Sequence, residues 1–226
     1  MTSRVVFLLD VDNTLLDSDR VTGDLRHHLA MVVGQDRTAR YWEIFNELRD
    51  EVGYADYLGA LQRYRVEFPR DPHLLTVSSF LINYPFANRL FPESLDVIEH
   101  LNGFGTVVIC SDGDVVFQPR KIERSGLFAA VDGRVLIYVH KQDEIEDVEA
   151  RYPADHYVVV DDKPALLDAF KAAWGPRVTT VLPLQGRYAR DREAVAAHAP
   201  ADITIDRIGR LLEFDLETLV SPVARS

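Results

Sequence analysis

Two carboxylates separated by one residue, Asp10 and Asp12, directly follow the largely apolar run at residues 4–9. A carboxylate can attack an electrophilic centre such as phosphorus. A second carboxylate nearby can protonate the leaving oxygen and then deprotonate an incoming water. The same residue types also favour helix N-caps and Asx turns. On its own, this segment leaves a catalytic site and a capped turn equally open.

Similar polar groups follow three later apolar runs: Ser111 after residues 106–110, Lys141 after residues 134–139, and Asp161 and Asp162 after residues 156–160. A hydroxyl and an ammonium can stabilise the charge on phosphoryl oxygens in a transition state. Carboxylates brought together repel one another unless a hard cation lies among them, and Mg²⁺ prefers such oxygen ligands. The set therefore indicates phosphoryl transfer assisted by a divalent cation. Lys121 is an alternative to Lys141, but it lies within a helical pattern.

The elements that must position these groups are predicted to be parallel strands. Short apolar runs rich in β-branched residues are typical of strands buried on both faces. Here they alternate with helical patterns, which favours right-handed βαβ crossovers and a parallel sheet covered on both sides. The sequence thus predicts an α/β fold with a three-layer, Rossmann-like core. Because the carboxyl ends of parallel strands share one edge, where ligands bind, the polar groups are expected to converge there.

A long helical pattern separates the first strand from the others. Its apolar residues recur at helical spacing in four amphipathic segments, which is typical of a small helical bundle. Thr22 is expected to cap the first helix, and Asp71-Pro72 to open the fourth. The predicted domains are a core at residues 1–16 and 91–226 and an inserted helical domain at residues 17–90.

The segment that enters the helical insertion carries four polar residues, Asp17, Ser18, Asp19 and Arg20. They could touch a substrate or act as a hinge. Because the chain must cross between the two domains here, a linker role is favoured.

Composition narrows the classes of partner. The 226 residues carry a net charge of −11, with a pI near 5.0. That balance argues against nucleic acid or an anionic membrane as the main partner, since both require a basic face. The single cysteine, Cys110, cannot form an internal disulfide, which suits a reducing compartment. With no leader-like segment and no apolar run of about eighteen residues, a cytoplasmic location is expected. No sequence feature sets the oligomeric state.

The segment at residues 10–15, DVDNTL, resembles the first motif of the haloacid dehalogenase-like superfamily of phosphohydrolases. Ser111 resembles its second motif, Lys141 its third, and Asp161-Asp162 the paired-acid form of its fourth. The order and spacing of the four motifs agree with the family pattern. The resemblance implies a haloacid dehalogenase-like core, and it implies that residues 17–90 form a helical cap of the superfamily's first cap class.

The resemblance also implies a role for each motif residue. These roles are Asp10 as nucleophile and Mg²⁺ ligand; Asp12 as general acid/base whose backbone carbonyl also binds the metal; Ser111, the amide of Asp112 and Lys141 as phosphate-binding groups; and Asp162, with Asp161, as metal-binding acids. Asp162 aligns best with the metal-binding acid, since Asp161 stands where the family often has glycine.

The implied function is a Mg²⁺-dependent phosphohydrolase that cleaves a small phosphomonoester through an aspartyl-phosphate. Asp12 argues against a dehalogenase, because cleavage of a carbon–halogen bond leaves no oxygen to protonate. Two alternatives stay open: a phosphomutase or phosphotransferase acting on a sugar phosphate, and a non-catalytic phosphate-binding or regulatory protein.

Three positions depart from the family pattern. Asp112 stands where asparagine or threonine is usual, which adds negative charge beside a phosphate site. Gln142 follows the lysine in place of the familiar proline. Leu166 replaces an acid expected four residues after Asp162, which leaves Asp161 as the evident second carboxylate and puts the strength of the metal site in question.

Overall fold

The structure, a computed structural model, describes residues 4–220. Within that range lie six strands: β1 Val5–Leu9, β2 Thr106–Asp112, β3 Val135–Tyr138, β4 His156–Val160, β5 Val178–Pro183 and β6 Ile203–Ile205. They form one sheet in the order β3-β2-β1-β4-β5-β6, and every neighbouring pair is parallel. The predicted α/β class with a Rossmann-like parallel sheet is confirmed.

Four helices follow β1 in the chain before the sheet continues. Their bounds are α1 Ser18–Val32, α2 Gln35–Val52, α3 Tyr57–Glu67 and α4 Leu74–Asn83. We call this group the helical block. Its interior is aromatic: the rings of Phe45 and Tyr57 stack with centroids 4.8 Å apart, and Trp42 meets Phe45 edge-on at 5.2 Å. The block is therefore held by packing of large apolar side chains, as its helical periodicity indicates.

Two details of the helical block differ from the sequence-based expectation. The first helix begins at Ser18 and is capped by Asp17, whose carboxylate accepts a hydrogen bond from the Arg20 amide. Thr22 is not its cap; it lies inside the helix and donates its hydroxyl to the Ser18 carbonyl at 2.9 Å. An acidic residue one turn upstream takes the N-cap position, because it can reach the free amides of the first turn.

The fourth helix begins at Leu74 and not at Pro72. Asp71 serves a different purpose, because its carboxylate is buried and pairs with Arg37 at 2.7 Å and with the Tyr64 hydroxyl at 2.6 Å. These contacts tie α2, α3 and the turn before α4 together. They hold the pKa of Asp71 at about 2, although burial alone would raise it.

The strands that carry the site lie at the centre of the sheet, and helices cover both of its faces. The remaining helices are α5 Ser94–Asn102, α6 Phe117–Ser125, α7 Leu127–Ala130, α8 Ile145–Arg151, α9 Pro164–Trp174, α10 Gly186–Arg190, α11 Arg192–Ala196 and α12 Leu216–Leu219. Short 3₁₀ turns occupy Phe86–Arg89, Lys141–Asp143, Gly175–Arg177 and Ile208–Glu213. All five residues of β1 are buried. Phe7 and Leu9 pack on the face with α5 and α6, while Val6 and Leu8 pack on the face with α8 and α9. These are the three expected layers.

The helical block is joined to the sheet by two segments that run side by side. Leu16 and Leu90 form an antiparallel bridge. The Asp17 amide donates to the Arg89 carbonyl at 2.8 Å, and the Phe91 amide donates to the Leu15 carbonyl at 2.9 Å. The segments that enter and leave the helical block are therefore hydrogen-bonded to each other. The division into domains at residues 16 and 91 stays a prediction.

Among the helices at residues 4–220, none is long and apolar enough to cross a membrane.

Candidate active site

The predicted polar groups meet at the carboxyl edge of the central strands. Asp10 follows β1, Ser111 lies near the end of β2, and Asp161 follows β4. Lys141, on the 3₁₀ turn after β3, links three of these strands. Its ammonium lies 2.6 Å from Asp10 Oδ1 and 2.6 Å from Asp161 Oδ2, and it donates to the Cys110 carbonyl at 3.1 Å. Lys141, and not the alternative Lys121, is thus the lysine at Asp10.

Lys141 is almost completely buried, with 1% of its surface exposed. Burial lowers the pKa of its ammonium, but the charges of Asp10 and Asp161 outweigh burial and raise that pKa well above its usual range. The side chain is therefore a fixed cation at the centre of the site. A cation held in place before substrate arrives needs no reorganisation to stabilise developing negative charge.

Three buried carboxylates lie together beside this cation. Asp10, Asp161 and Asp162 each offer an oxygen, and these oxygens are within 4.8 Å of one another. Neither oxygen of Asp162 has a hydrogen-bond partner among the residues that the structure describes. Burial, together with the charges of Asp161 and Asp10, raises the pKa of Asp162 to about 9. Burial likewise raises the pKa of Asp10 to about 6.

This donor set fits a divalent cation. It consists only of carboxylate oxygens, which hard cations such as Mg²⁺ prefer, and two of those oxygens otherwise carry no compensating hydrogen bond. Leu166, the departure from the family pattern, is buried and supplies no ligand. Asp161 brings the third carboxylate to the cluster instead.

Asp12 lies in a different environment from Asp10. Its carboxylate accepts hydrogen bonds from the Ser18 hydroxyl, from Gln118 Nε2 at 2.9 Å and from Lys121 Nζ at 2.5 Å. Burial would raise the pKa of Asp12, but the charge and hydrogen bond of Lys121 more than offset it, so the pKa lies below its usual value. The carboxylate of Asp12 is therefore ionised and held from three sides.

Gln118 connects Asp12 to the second motif. Its Nε2 also lies 2.9 Å from the Ser111 hydroxyl, and its Oε1 accepts from Lys121 Nζ at 2.8 Å. Gly113 makes room for this side chain, because a Cβ at residue 113 would lie 2.8 Å from Gln118 Cβ. One amide thus fixes the separation of Ser111 and Asp12.

The unusual Asp112 has its charge compensated locally. One carboxylate oxygen accepts from the Lys141 amide at 2.8 Å, and the other lies 3.5 Å from Lys163 Nζ. Burial lowers the pKa of the Lys163 ammonium, but Asp161 and other nearby carboxylates raise it overall. The extra negative charge beside the expected phosphate position is therefore balanced by Lys163, which was not among the predicted site residues.

The turn after β1 is shaped by Asn13, which has a φ of 61°. Asparagine tolerates this left-handed region better than most residues because its side chain bonds locally, here to Asp19. The next residue, Thr14, accepts a hydrogen bond from the Asp162 amide at 3.1 Å. The loops after β1 and β4 are thereby locked together, which sets the distance between the first and fourth motifs.

A cavity of about 130 Å³ opens beside this edge of the sheet. The sheet side contributes Asp12, Asp112, Lys121, Asp162 and Lys163 to its wall. Ser18 and Asp19 also line it, so the segment for which a linker role was favoured borders the candidate site.

The helical block and α10 complete the cavity wall. Arg49, Gly53, Tyr54 and Tyr57 come from the end of α2, the following turn and the start of α3, while Arg187 and Tyr188 come from α10. The block rests on the sheet side at Gly53, which has a φ of 85°. A Cβ at residue 53 would lie 2.9 Å from His140 Nε2, so only glycine allows this close approach.

The comparison with protein families decides the identity at the level of the family. The model of the haloacid dehalogenase-like hydrolases matches residues 5–173, most of the chain. This chain belongs to that family. No curated protein matches the chain.

Solved structures agree with the family assignment. A haloacid dehalogenase-like hydrolase from Burkholderia xenovorans LB400 is 59% identical, covers 94% of this chain and 99% of its own, and has a TM-score of 0.90. The Bacillus subtilis HAD-hydrolase YfnB, solved with bound magnesium, is 17% identical over 93% of this chain and 98% of its own, with a TM-score of 0.62. An L-2-haloacid dehalogenase from Xanthobacter autotrophicus is 18% identical over 92% and 96%, with a TM-score of 0.58. The last two likenesses show a shared fold.

Gln118, Arg49 and Arg187 border this haloacid dehalogenase-like site but were not predicted from sequence, and Lys121 was considered only as an alternative to Lys141. Gln118 lies three positions before Lys121 on α6, a spacing that places both on one helix face, and this was the available signal. Arg49 and Arg187 carry no such signal, because they lie far apart in the sequence and on helices that show no motif.

Proposed function

We propose that this protein is a Mg²⁺-dependent phosphohydrolase that cleaves a small phosphomonoester through an aspartyl-phosphate on Asp10. The observation that carries this proposal is the cluster of three buried carboxylates with two unpartnered oxygens on Asp162. Such a cluster is poorly suited to hold an anionic substrate by itself. With a divalent cation it becomes a site for phosphate, since the cation offsets both the carboxylates and the phosphoryl oxygens.

Asp10, Asp161 and Asp162 would hold the metal ion, together with the backbone carbonyl of Asp12. When bound, Mg²⁺ supplies Lewis-acid stabilisation of the negative charge on the phosphoryl oxygens. Nucleophilic attack, phosphate binding and proton transfer are carried out by residues of this chain.

In the first step Asp10 attacks phosphorus. With a pKa of about 6, its carboxylate is largely ionised at neutral pH, as a nucleophile must be. Lys141 fixes its Oδ1, while its Oδ2 makes no hydrogen bond to the described residues. The phosphoryl oxygens are bound by the Ser111 hydroxyl, the Asp112 amide and the Lys141 ammonium. A bond forms between Asp10 and phosphorus, and the bond to the ester oxygen breaks.

Asp12 handles the protons. It donates a proton to the departing ester oxygen, then removes one from the water that attacks the aspartyl-phosphate, which releases inorganic phosphate and restores Asp10. Lys121 keeps Asp12 ionised in the free protein, which suits the second step. A phosphate dianion bound nearby raises the pKa of Asp12 by like-charge repulsion, which favours the protonated form that the first step needs.

The helical block is proposed to be the cap of this enzyme, formed by residues 17–90 over a core at residues 1–16 and 91–226. Its contribution of Arg49, Gly53, Tyr54 and Tyr57 to the cavity wall supports that role. A cavity of about 130 Å³ is smaller than the roughly 300 Å³ or more of drug-sized ligand pockets, which favours a small substrate.

Hydrolysis of a haloacid is the competing chemistry within the family's range. The likeness to L-2-haloacid dehalogenases is below 20% identity and reflects the fold. A halide leaves without a proton, so that reaction gives no task to Asp12 or to Lys121, Gln118 and Ser18 that hold it. The phosphatase reaction uses all of them.

The test is release of inorganic phosphate from p-nitrophenyl phosphate and a panel of small phosphomonoesters, with and without Mg²⁺. The native protein is expected to be active only with a divalent cation, and Asp10→Asn to lose roughly 10⁴-fold or more of that activity. Chloride release from 2-chloropropionate is measured in parallel. Chloride release without phosphate release would overturn the proposal, and transfer of the phosphoryl group to an added sugar instead of water would identify a phosphomutase.

A further inference from the structure

Two arginines on the cavity wall lack a close acidic partner. Arg49, in the last turn of α2, has its nearest carboxylate at Asp50, 3.7 Å away, and Arg187, on α10, has its nearest at Asp19, 3.9 Å away. Both distances exceed that of a hydrogen bond. These are the nearest carboxylates within residues 4–220, the part of the chain that the structure describes.

Three arginines elsewhere in the described chain are paired more tightly, whereas the exposed Arg65 and Arg70 have no ion pair among the described residues. Arg40 lies 2.6 Å from Glu67, and both Arg37–Asp71 and Arg89–Asp24 measure 2.7 Å. The sequence has an excess of acidic residues, with a net charge of −11. The two guanidinium groups beside the cavity are left with unused donors, apart from one N–H that Arg187 gives to the Tyr188 hydroxyl at 3.1 Å.

The phosphoryl group has cations of its own. Lys141 serves the Asp10 side, Lys121 is occupied by Asp12, and Lys163 balances Asp112. Arg49 and Arg187 come from other elements, the helical block and the helix after β5, and reach the same cavity from there. They are surplus to the needs of one phosphate.

We propose that Arg49 and Arg187 form a subsite for a carboxylate, so that the substrate is a short carboxylic acid phosphorylated on a hydroxyl. The planar fork of a guanidinium matches a carboxylate through two parallel hydrogen bonds. Arg49 and Arg187 line the same small cavity as Asp12, Asp112 and Asp162, so we place a few carbon atoms between the two anionic groups of the substrate. Tyr54 and Tyr188 also line this cavity. This subsite rests on the proposed function.

The position of Arg187 is fixed by the first motif. Gly186, which precedes it, packs on Asn13 so closely that a Cβ at residue 186 would lie 2.6 Å from Asn13 Cγ. Its φ of 61° also favours glycine. The start of α10 is thereby held against the turn that follows β1. This contact fixes the backbone of α10, and with it the position of Arg187, relative to the loop that carries Asp10.

The experiment compares substrates that differ only in the distal charge. The phosphate esters of glycolic and 3-hydroxypropionic acid are tested against the phosphate esters of the corresponding amides, in the presence of Mg²⁺. We expect kcat/KM to favour each acid over its amide by about tenfold or more, because one charge-assisted hydrogen bond is worth that much. We expect Arg49→Gln and Arg187→Gln to abolish this preference, chiefly through KM.

Arg65→Gln is the matched control, since Arg65 is exposed on α3 and does not line the cavity. It is expected to keep the native preference for the acids. An absent preference in the native protein, or equal losses with acid and amide in the arginine variants, would overturn the subsite. A stronger arginine-dependent preference for a distal phosphate over a distal carboxylate would also overturn the carboxylate assignment.

A binding measurement separates this proposal from the proposed function. The phosphonate analogues of the same acids and amides are titrated against the native protein with Mg²⁺, and the thermal midpoint is recorded. If p-nitrophenyl phosphate is not hydrolysed but the acid analogue stabilises the protein in an arginine-dependent way, the catalytic proposal fails and the subsite stands. If p-nitrophenyl phosphate is hydrolysed and the acid and amide analogues stabilise the protein equally, the catalytic proposal stands and the subsite fails.

Discussion

Asp10 and Asp12 are two residues apart in the chain, yet they lie in opposite electrostatic environments. Asp10 lies beside Asp161 and Asp162, and its pKa is raised to about 6. Asp12 faces Lys121, Gln118 and Ser18, and its pKa is lowered. The difference shows that the pKa values of two identical side chains are set by their surroundings. Burial dominates at Asp10 although Lys141 lies 2.6 Å away, whereas Lys121, Gln118 and Ser18 outweigh burial at Asp12.

The two environments also differ in what they lack. In the part of the chain that the structure describes, Lys141 is the ammonium within ion-pair distance of the cluster of Asp10, Asp161 and Asp162. The group around Asp12 is complete, because each of its carboxylate oxygens already has a donor. We therefore expect the cluster to respond to metal ions and to pH, and the Asp12 group to respond to mutation of α6.

Removal of Lys141 should have the largest effect. Lys141→Met leaves Asp10 and Asp161 buried without their cation, which is expected to lower the free energy of unfolding by about 3–5 kcal/mol in a chelator. Urea unfolding measures this loss. Lys163→Met is the control, because its side chain is 37% exposed and its contact with Asp112 is longer, at 3.5 Å. If both variants lost the same free energy of unfolding, repulsion among the buried carboxylates would not be what Lys141 offsets.

Removal of Lys121 should damage the Asp12 group alone. Lys121→Met frees the carboxylate of Asp12 from its strongest donor and raises its pKa, so removal of a proton from water in the second step is expected to slow and kcat to fall by about 10²-fold. The loss should be similar for alkyl phosphates and p-nitrophenyl phosphate, because the second step is common to all esters, and a burst of p-nitrophenol should precede the slow turnover. Arg120→Met, a partly exposed neighbour on α6 that pairs with Glu123 and not with Asp12, is the control. A loss that grows with the pKa of the leaving group, without a burst, would contradict a role for Lys121 in the second step.

The pH dependence of stability should separate the two environments. In the metal-free protein the folded-state pKa of Asp162 is about 9, above its ordinary value of 3.8. The proton it binds therefore stabilises the fold fully below pH 3.8, and this stabilisation is lost as the pH rises through 9. Mg²⁺ replaces the proton, so its stabilising effect should grow with pH and reach roughly 5–10 °C in thermal midpoint at a concentration a hundred times Kd.

Thermal unfolding from pH 5 to pH 9, with Mg²⁺ or with a chelator, measures this dependence. Asp162→Asn should flatten the pH profile of the chelated protein and remove the response to Mg²⁺. Asp206→Asn, which alters an acid with 67% of its side chain exposed, should do neither. A Mg²⁺ response that survives Asp162→Asn would place the cation elsewhere.

The smallest expected effect concerns the contact between the helical block and the sheet side. Gly53→Ala strains a backbone with φ of 85° and forces the new methyl group against His140, which should cost about 1 kcal/mol or more and raise KM. Gly126→Ala matches the strain, with φ of 89°, but meets no atom within 4 Å. Both should lose stability, as urea unfolding measures, and only the first should lose substrate affinity. Equal KM values would contradict a closing role for the Gly53 contact.

The fold class and the polar residues at the four strand ends could be predicted from the sequence, because both depend on local sequence patterns. A buried parallel strand such as β1 must be apolar throughout, and a polar residue after it must lie at the carboxyl edge. Asp10, Ser111, Lys141 and Asp162 were found in this way. The place where each strand ends in the chain was enough to bring these residues together.

Residues whose role depends on side-chain direction were missed or misjudged. Gln118 and Lys121 belong to a helix, and helical periodicity says which face is apolar but not which carboxylate a buried lysine will meet. Asp71 and Thr22 were assigned as caps from residue type. Asp71 instead pairs with Arg37 across the helical block, a contact between distant positions that no local pattern encodes.

The paired segments at Leu16 and Leu90 have a mechanical consequence. The two segments are joined by a bridge and by backbone hydrogen bonds, so we expect them to act as one hinge for the proposed cap. Arg49 and Gly53 belong to the helical block and would move with it. Recognition of the distal group and exclusion of water would then occur in one movement, and a molecule too long for the cap to close over it would be rejected before any bond is broken.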